Sequence, residues 1–327
     1  MSALTVDVLD ATAVGTVLRP RDAVRALEDA LHAGLDPSAT PPRSAVPTAH
    51  GQLLLMPAVG ADAVGVKVVS VAPANVSRGL PRIQGVYVLF DEATLTPRAV
   101  VDGAALTTLR TPAVSAAAAL PALAHNGRPL RVVVFGAGPQ GVGHLRTLAD
   151  TLQADGADPR ESVVLRATVV VRDVTRAAVP PLDGVSTELL DVRSKAVEGA
   201  VASADVVVCA TTARLPLFSA GAVPDRAVVI AVGAHELDAW EVEPALAARA
   251  LLVVEDRATA LREAGVVRAA VESGQLTPQD VVPMREFVTG AVSVPSDRPV
   301  LFVSVGMAWE DLVVARRLHE AYQAQAL

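Results

Sequence analysis

Arg131-Val-Val-Val-Phe135-Gly136-Ala137-Gly138-Pro139-Gln140-Gly141 is the stretch on which the fold turns. An apolar run with no polar alternation predicts a strand buried on both faces. It leads directly into Gly-x-Gly-x-x-Gly, and residues 142–152 then predict a helix. Strand, glycine turn and helix in that order form the dinucleotide-binding context. Gly136 permits the tight turn, Gly138 lets backbone approach a pyrophosphate, and Gly141 lets the helix pack on the strand. The phosphates would sit at the positive end of the helix dipole, beside Pro139 and Gln140. Outward from this point, similar apolar runs recur at 168–171, 205–209, 227–232 and 251–254, separated by stretches with helical potential. This alternation predicts an α/β fold: a Rossmann-type doubly wound parallel sheet over residues 115–300.

The end of the second strand bears on the cofactor. An acid there bonds a ribose 2′-hydroxyl, whereas an arginine accepts a 2′-phosphate. The strand ends Val171-Arg172-Asp173, so Asp173 argues for NAD, while Arg172 and Arg176 leave NADP possible. A segment at 154–166 lengthens the usual spacing of about 20 residues from the glycine turn. Ala210 and Thr211, just past the strand ending at Cys209, complete the expected cofactor contacts.

Residues 1–114 read differently. A helix is expected over 20–34, then a proline-rich loop containing Pro37, Pro41, Pro42 and Pro47. Strands are expected at 52–56, 63–71 and 86–90, with turns rather than helices between them. That predicts a mixed α+β domain with an antiparallel or mixed sheet. An alanine-rich helix follows from Ser115, which Pro121 kinks or ends. A final helix over 307–322 can return to the first domain, so 301–327 is assigned with 1–114.

Of 28 basic residues only two are lysines, Lys67 and Lys195. Lys67 lies inside an apolar strand. Desolvating a lone ammonium costs several kcal/mol, so such a lysine has an anionic partner, faces a cavity, or snorkels from an edge strand. Arg110 precedes the alanine-rich helix and Arg43 sits in the proline loop. An arginine grips a carboxylate bidentately and a lysine adds a point charge.

Composition narrows the function classes. The chain has 327 residues, is 51% apolar and 19% charged, and carries a net charge of −7. Disorder is excluded, and nucleic acid is not an expected partner. No apolar run reaches the roughly 18 residues that span a membrane. Met1 to Asp10 lacks the basic start and apolar segment of a signal peptide. The single cysteine, Cys209, forms no internal disulfide and is expected to be inert within its strand, which fits the cytoplasm. The histidines show no metal-ligand spacing, so no metal is expected. Glu255 and Asp256 read as solvated strand-end charges.

Several segments together resemble the ornithine cyclodeaminase/mu-crystallin family. They are Leu55-Met-Pro57, Gly65-Val-Lys-Val-Val-Ser70, Asn75 with Gly79-Leu-Pro81, Asp102-Gly103 with Leu106-Thr107, and Leu109-Arg-Thr-Pro-Ala-Val-Ser-Ala116. Gly136 to Gly141, Val232-Gly-Ala234, and Ser304-Val-Gly-Met-Ala308 with Glu310-Asp-Leu312 complete the set, in family order. The resemblance implies a homodimer joined through the first domain and the final helix. It implies that Arg43, Lys67 and Arg110 hold the α-carboxylate of a small imino or amino acid, and that Thr111 approaches the cofactor phosphates. Three positions depart from the family: His235 replaces the cyclodeaminase aspartate, with Asp238 a nearby acid, Pro112 replaces alanine, and Val303 replaces lysine. The implied function is NAD(P)-dependent hydride transfer at a C–N bond, as in a ketimine reductase or amino-acid dehydrogenase. Lys67 fixes charge, and His235 or Asp238 handles the nitrogen's proton. The alternatives are cyclodeamination of ornithine or a homologue with release of ammonia, and a non-catalytic dinucleotide-binding role.

Overall fold

The computed structural model describes residues 5–123, 128–153, 165–234 and 236–325. The chain divides into two compact units, Met1–Thr111 with Met307–Leu327, and Pro112–Gly306.

The first unit is built on a six-stranded sheet: β1 (Asp7–Leu9), β2 (Ser44–Thr48), β3 (Gly51–Val59), β4 (Ala63–Val71), β5 (Ile83–Asp91) and β6 (Pro97–Asp102). Their spatial order is β1-β6-β5-β4-β3-β2. The short turns make β2 to β6 antiparallel, and only β1 runs parallel to its neighbour, β6. β2 lies in the stretch expected to be loop. It is an exposed edge strand, where Pro47 is tolerated because one side of the ladder needs no donor. In β4 the burial alternates with a period of two, and Lys67 falls in the buried phase. Met56, Lys67, Tyr87 and Val101 pair in one row across β3 to β6, and all four are buried. The final helix, Ala308–Gln325, packs on β3, β4, β5 and the helix Pro20–His32. Residues of the opposite phase, among them Leu55, Val66, Val68 and Val88, are apolar and only half-buried, and Val86 is exposed.

The second unit holds an eight-stranded parallel sheet: β7 (Leu130–Phe135), β8 (Leu165–Val171), β9 (Val185–Asp191), β10 (Val206–Cys209), β11 (Val228–Ala231), β12 (Leu251–Val254), β13 (Val282–Pro283) and β14 (Val300–Val303). The order is β13-β12-β14-β11-β10-β7-β8-β9. The chain winds one way from β7 to β9 and the other way from β10 onward, so β7 and β10 flank the switch point where such folds bind ligands. Val133, Val207, Val229 and Leu301 are almost fully buried in its core, and each contributes about 1.5–3 kcal/mol by leaving water. Residues 300–303 form a central strand between β11 and β12, although 301–303 were expected with the terminal segment. Their four-residue apolar run follows the same strand pattern as β10 and β12.

The helix Gly103–Ala119 spans the boundary between the units. It starts well before Ser115 because Asp102 Oδ1 accepts from the Ala105 amide at 2.8 Å and caps the first turn. Pro112 lies within it and removes the hydrogen bond to the Thr108 carbonyl, yet the helix continues. It stops at Ala119, before Pro121.

Candidate active site

Thr107 and Arg110 lie one turn apart on that helix and so share a face. Lys67 Nζ is 2.9 Å from Asp311 Oδ1 and 2.7 Å from Oδ2, with Thr107 Oγ1 at 3.5 Å. Arg110 donates through Nε to Asp311 Oδ1 at 3.1 Å and through Nη1 to Glu310. Asp311 therefore bridges the two cations. Both acids sit in the first turn of the final helix, where its dipole favours negative charge. Glu310 also accepts from the Met307 amide at 2.8 Å, which fixes its carboxylate against the helix start. All four side chains are buried, two positive and two negative.

Burial, followed by the Arg110 guanidinium, holds Lys67 down at about 8, while Asp311 and Glu310 pull it upward. Its charge therefore changes close to neutral pH. The two cations lie side by side with their charges matched by the two carboxylates, and Lys67 can exchange a proton there. Of the three expectations for Lys67, an anionic partner, a cavity or an edge-strand snorkel, the structure shows the first. Glu310 and Asp311 entered the sequence reading only as part of the segment Glu310-Asp-Leu312 that resembles the family, with no role given to either.

Arg43 immediately precedes β2. Ser44 pairs with Leu55, and the next residue of β3, Met56, pairs with Lys67. That puts Arg43 about two strand spacings, ~10 Å, from Lys67 along the row. Thr111 is buried next to Arg110 in the same helix.

In the second unit the glycine turn has the shape a pyrophosphate requires. Gly136 has φ +102°, and a Cβ there would lie 2.7 Å from the Ala210 carbonyl oxygen. A Cβ at Gly141 would lie 2.0 Å from the Gly136 oxygen, so helix and strand meet at glycine alone. Nothing lies within 4 Å of the corresponding position at Gly138, which leaves that face of the turn open. The helix Pro139–Leu152 starts at Pro139 with no side-chain cap, so its first amides are oriented for an anion. This donor set and clearance fit a dinucleotide.

His144, on that helix, meets the Gln140 carbonyl through Nδ1 at 2.7 Å and Ser115 Oγ through Nε2 at 2.9 Å. Burial holds it down at about 4, so it is neutral and ties two helices together. Ala210 and Thr211 lie against Gly136. Thr211 donates its amide and hydroxyl to Glu241 Oε1 at 2.7 and 2.6 Å, and the Gly233 amide donates to Oε2 at 2.7 Å. Burial pushes the Glu241 carboxyl up, against the pull of these donors.

At the end of β8, Arg172, Asp173 and Arg176 are exposed. Asp173 Oδ1 accepts from the Thr175 amide and hydroxyl at 2.9 and 2.6 Å; the hydroxyl foremost holds its carboxyl below the usual range. Asp238 is exposed and paired with Arg214 at 2.6 Å, and Arg214 also meets Glu236. His235 lies outside the described residues. Glu255 and Asp256 are buried, contrary to expectation. Glu255 accepts from Ser304 Oγ and the Val305 and Gly306 amides at 2.6, 3.1 and 2.8 Å, and Asp256 caps the helix Arg257–Glu263. Backbone and hydroxyl donors take the place of water at these strand-end acids.

A profile of the ornithine cyclodeaminase/mu-crystallin family matches residues 5–326. Delta(1)-pyrroline-2-carboxylate reductase 2 of Burkholderia ambifaria is 33% identical over 290 residues, covering 88% of this chain and 86% of the relative. Ketimine reductase mu-crystallin of Mus musculus is 31% identical over 293 residues, covering 87% and 85%. The fold is shared with the Delta(1)-pyrroline-2-carboxylate reductase of Thermococcus litoralis, solved with NADH and L-proline. That structure has a TM-score of 0.84 and 23% identity, with 98% of each chain covered.

Proposed function

This chain belongs to the ornithine cyclodeaminase/mu-crystallin family, and on that premise we propose that it is an NAD(H)-dependent reductase of small imino acids bearing a free carboxylate. The observation that carries the reading is the buried Lys67–Arg110 pair bridged by Asp311. Two cations fixed side by side suit a substrate carboxylate, and the names of the Burkholderia and mouse relatives supply the imino-acid class. When bound, the reduced nicotinamide supplies the hydride for the C–N double bond. Arg110 and Lys67, with Arg43, bind and orient the carboxylate. Asp311 keeps the two cations at their spacing and keeps Lys67 charged at neutral pH. We assign the nitrogen's proton to His235 or Asp238. Having histidine rather than aspartate at 235 favours reduction over cyclodeamination.

Asp173 supports NAD over NADP, because its carboxylate would repel a 2′-phosphate. Arg193, whose charge acts on Asp173, is already bidentate on Asp191 at 2.9 and 2.6 Å. The half-buried apolar face of the six-stranded sheet supports a homodimer, since monomers rarely leave such a face open. A cytoplasmic site fits the one thiol, Cys209, which is buried and free.

The test is oxidation of NADH and of NADPH with Δ1-pyrroline-2-carboxylate and its six-membered homologue, beside ornithine with NAD read for ammonia. NADH consumed by the imino acids is the expected result. Ammonia from ornithine without net NADH would replace this reading with cyclodeamination.

A further inference from the structure

Glu241 belongs to none of the site residues the sequence brought forward, and among the described residues no basic side chain pairs with it. It is 1% exposed. A buried carboxylate without a cation persists only where several donors converge on it. Here the donors are the Thr211 amide, the Thr211 hydroxyl and the Gly233 amide, all within 2.7 Å. Thr211 follows β10 and Gly233 follows β11, so one side chain ties the carboxyl ends of two adjacent strands. On its other side Thr211 reaches the glycine turn: its Cγ2 lies 3.4 Å from where a Gly136 Cβ would stand. The Thr211 hydroxyl, having donated to Glu241, accepts from the Ala213 amide at 3.0 Å, which also fixes the start of the following loop. Gly233 is part of the same clamp. A Cβ there would lie 2.1 Å from the Thr211 carbonyl oxygen and 2.6 Å from Glu241 Oε1, although its φ admits any residue.

We propose that Glu241 is a positioning residue for the dinucleotide: it holds Thr211 against the glycine turn and so sets the wall of the crevice at the switch point. The proposal rests on the dinucleotide reading above, but not on the identity of the imino acid. Glu241 touches no reacting atom; it acts through Thr211.

The test is NADH titration by fluorescence, without substrate, for wild type, Glu241→Gln, Gly233→Ala, Thr211→Val and the Thr211→Val/Glu241→Gln double variant. Circular dichroism and melting temperature are followed in parallel. Glutamine keeps an oxygen for Thr211 but turns its NH2 toward the Gly233 amide, so one donor loses its acceptor. The expected result is an NADH Kd raised about tenfold in Glu241→Gln. Gly233→Ala should weaken binding similarly. The double variant should be no weaker than the worse single one, because both changes break one link. Glu241→Asp, which keeps the charge, should recover part of the affinity. A Glu241→Gln variant with a lower melting temperature but the wild-type Kd would overturn the proposal and leave Glu241 a stabilising contact. Additive losses in the double variant would also overturn it. Wild-type protein that binds NADH yet reduces no imino acid would sink the proposed substrate class and leave this inference standing. Wild-type protein that binds no reduced dinucleotide would sink both.

Discussion

Replacing Asp311 with asparagine removes a carboxylate that touches both buried cations, and its effect can be worked from the geometry. Asp311 lies 2.7 Å from Lys67 Nζ and 3.1 Å from Arg110 Nε. With charge centres about 4 Å apart and an effective dielectric of about 20, its attraction for the ammonium is about 4 kcal/mol, or about three pKa units. The asparagine amide oxygen still accepts from Lys67 and offsets part of the loss, so a fall of about two units is expected, taking Lys67 from about 8 to about 6. At pH 7.5 the protonated fraction then drops from about three quarters to about 3%, and kcat/KM for the imino acid should drop about 25-fold. Activity should recover as the pH is lowered toward 6. The assay is kcat/KM against pH from 5.5 to 9.5 for both proteins, run below the variant's melting temperature. Leaving Arg110 and Lys67 less compensated costs about 3–5 kcal/mol of stability. A variant whose activity is lowered equally at every pH, with its alkaline limb still near 8, would refute the assignment of Asp311 as the group that keeps Lys67 charged.

Other outcomes follow from the same geometry. Lys67→Ala should abolish imino-acid turnover while leaving the NADH Kd within about threefold of wild type, because a point charge on the substrate carboxylate is lost and no dinucleotide contact is assigned to Lys67; retained activity would remove the role given to it. Stability should rise from pH 8 to pH 10. Lys67 holds its proton less tightly folded, at about 8, than unfolded, at 10.5, so the unfolded chain binds more protons in that window. The contribution is lost as pH falls through 8, and it amounts to at most about 3 kcal/mol. The only other lysine, Lys195, is exposed, so urea unfolding of Lys67→Met should show a flatter profile over that range. Asp173→Ala should raise the kcat/KM ratio of NADPH to NADH by about tenfold, since it removes a charge that would oppose a 2′-phosphate; an unchanged ratio would detach Asp173 from cofactor choice.

The second unit was legible because its code is local. Five short apolar runs announced buried parallel strands, and the glycine turn stood between the first of them and a helix. β14 carries the same signal in four residues, but its place between β11 and β12 depends on pairing that chain order does not reveal. β2 was hidden by Pro47, which an edge strand tolerates. The helix from Gly103 was read too short because its cap is a side-chain bond from Asp102, ahead of a first turn of small and apolar residues, Gly103 to Leu106. In the site, a lysine inside an apolar strand raised an anionic partner as one of three readings, beside a cavity and an edge-strand snorkel. The anion's identity was out of reach because Asp311 lies 244 residues away in the chain. Glu241 gave no signal at all: a carboxylate held by two amides and a hydroxyl leaves no charge pattern in a sequence.

The central claim is that the Asp311-bridged cations grip a substrate carboxylate. The most direct measurement is kcat/KM with NADH for a five-membered cyclic imino acid and for its uncharged methyl ester, in wild type and in Arg110→Met. The account predicts that the acid is preferred by about a hundredfold in wild type, and that the preference collapses in the variant. Equal turnover of acid and ester by the wild-type protein would contradict it.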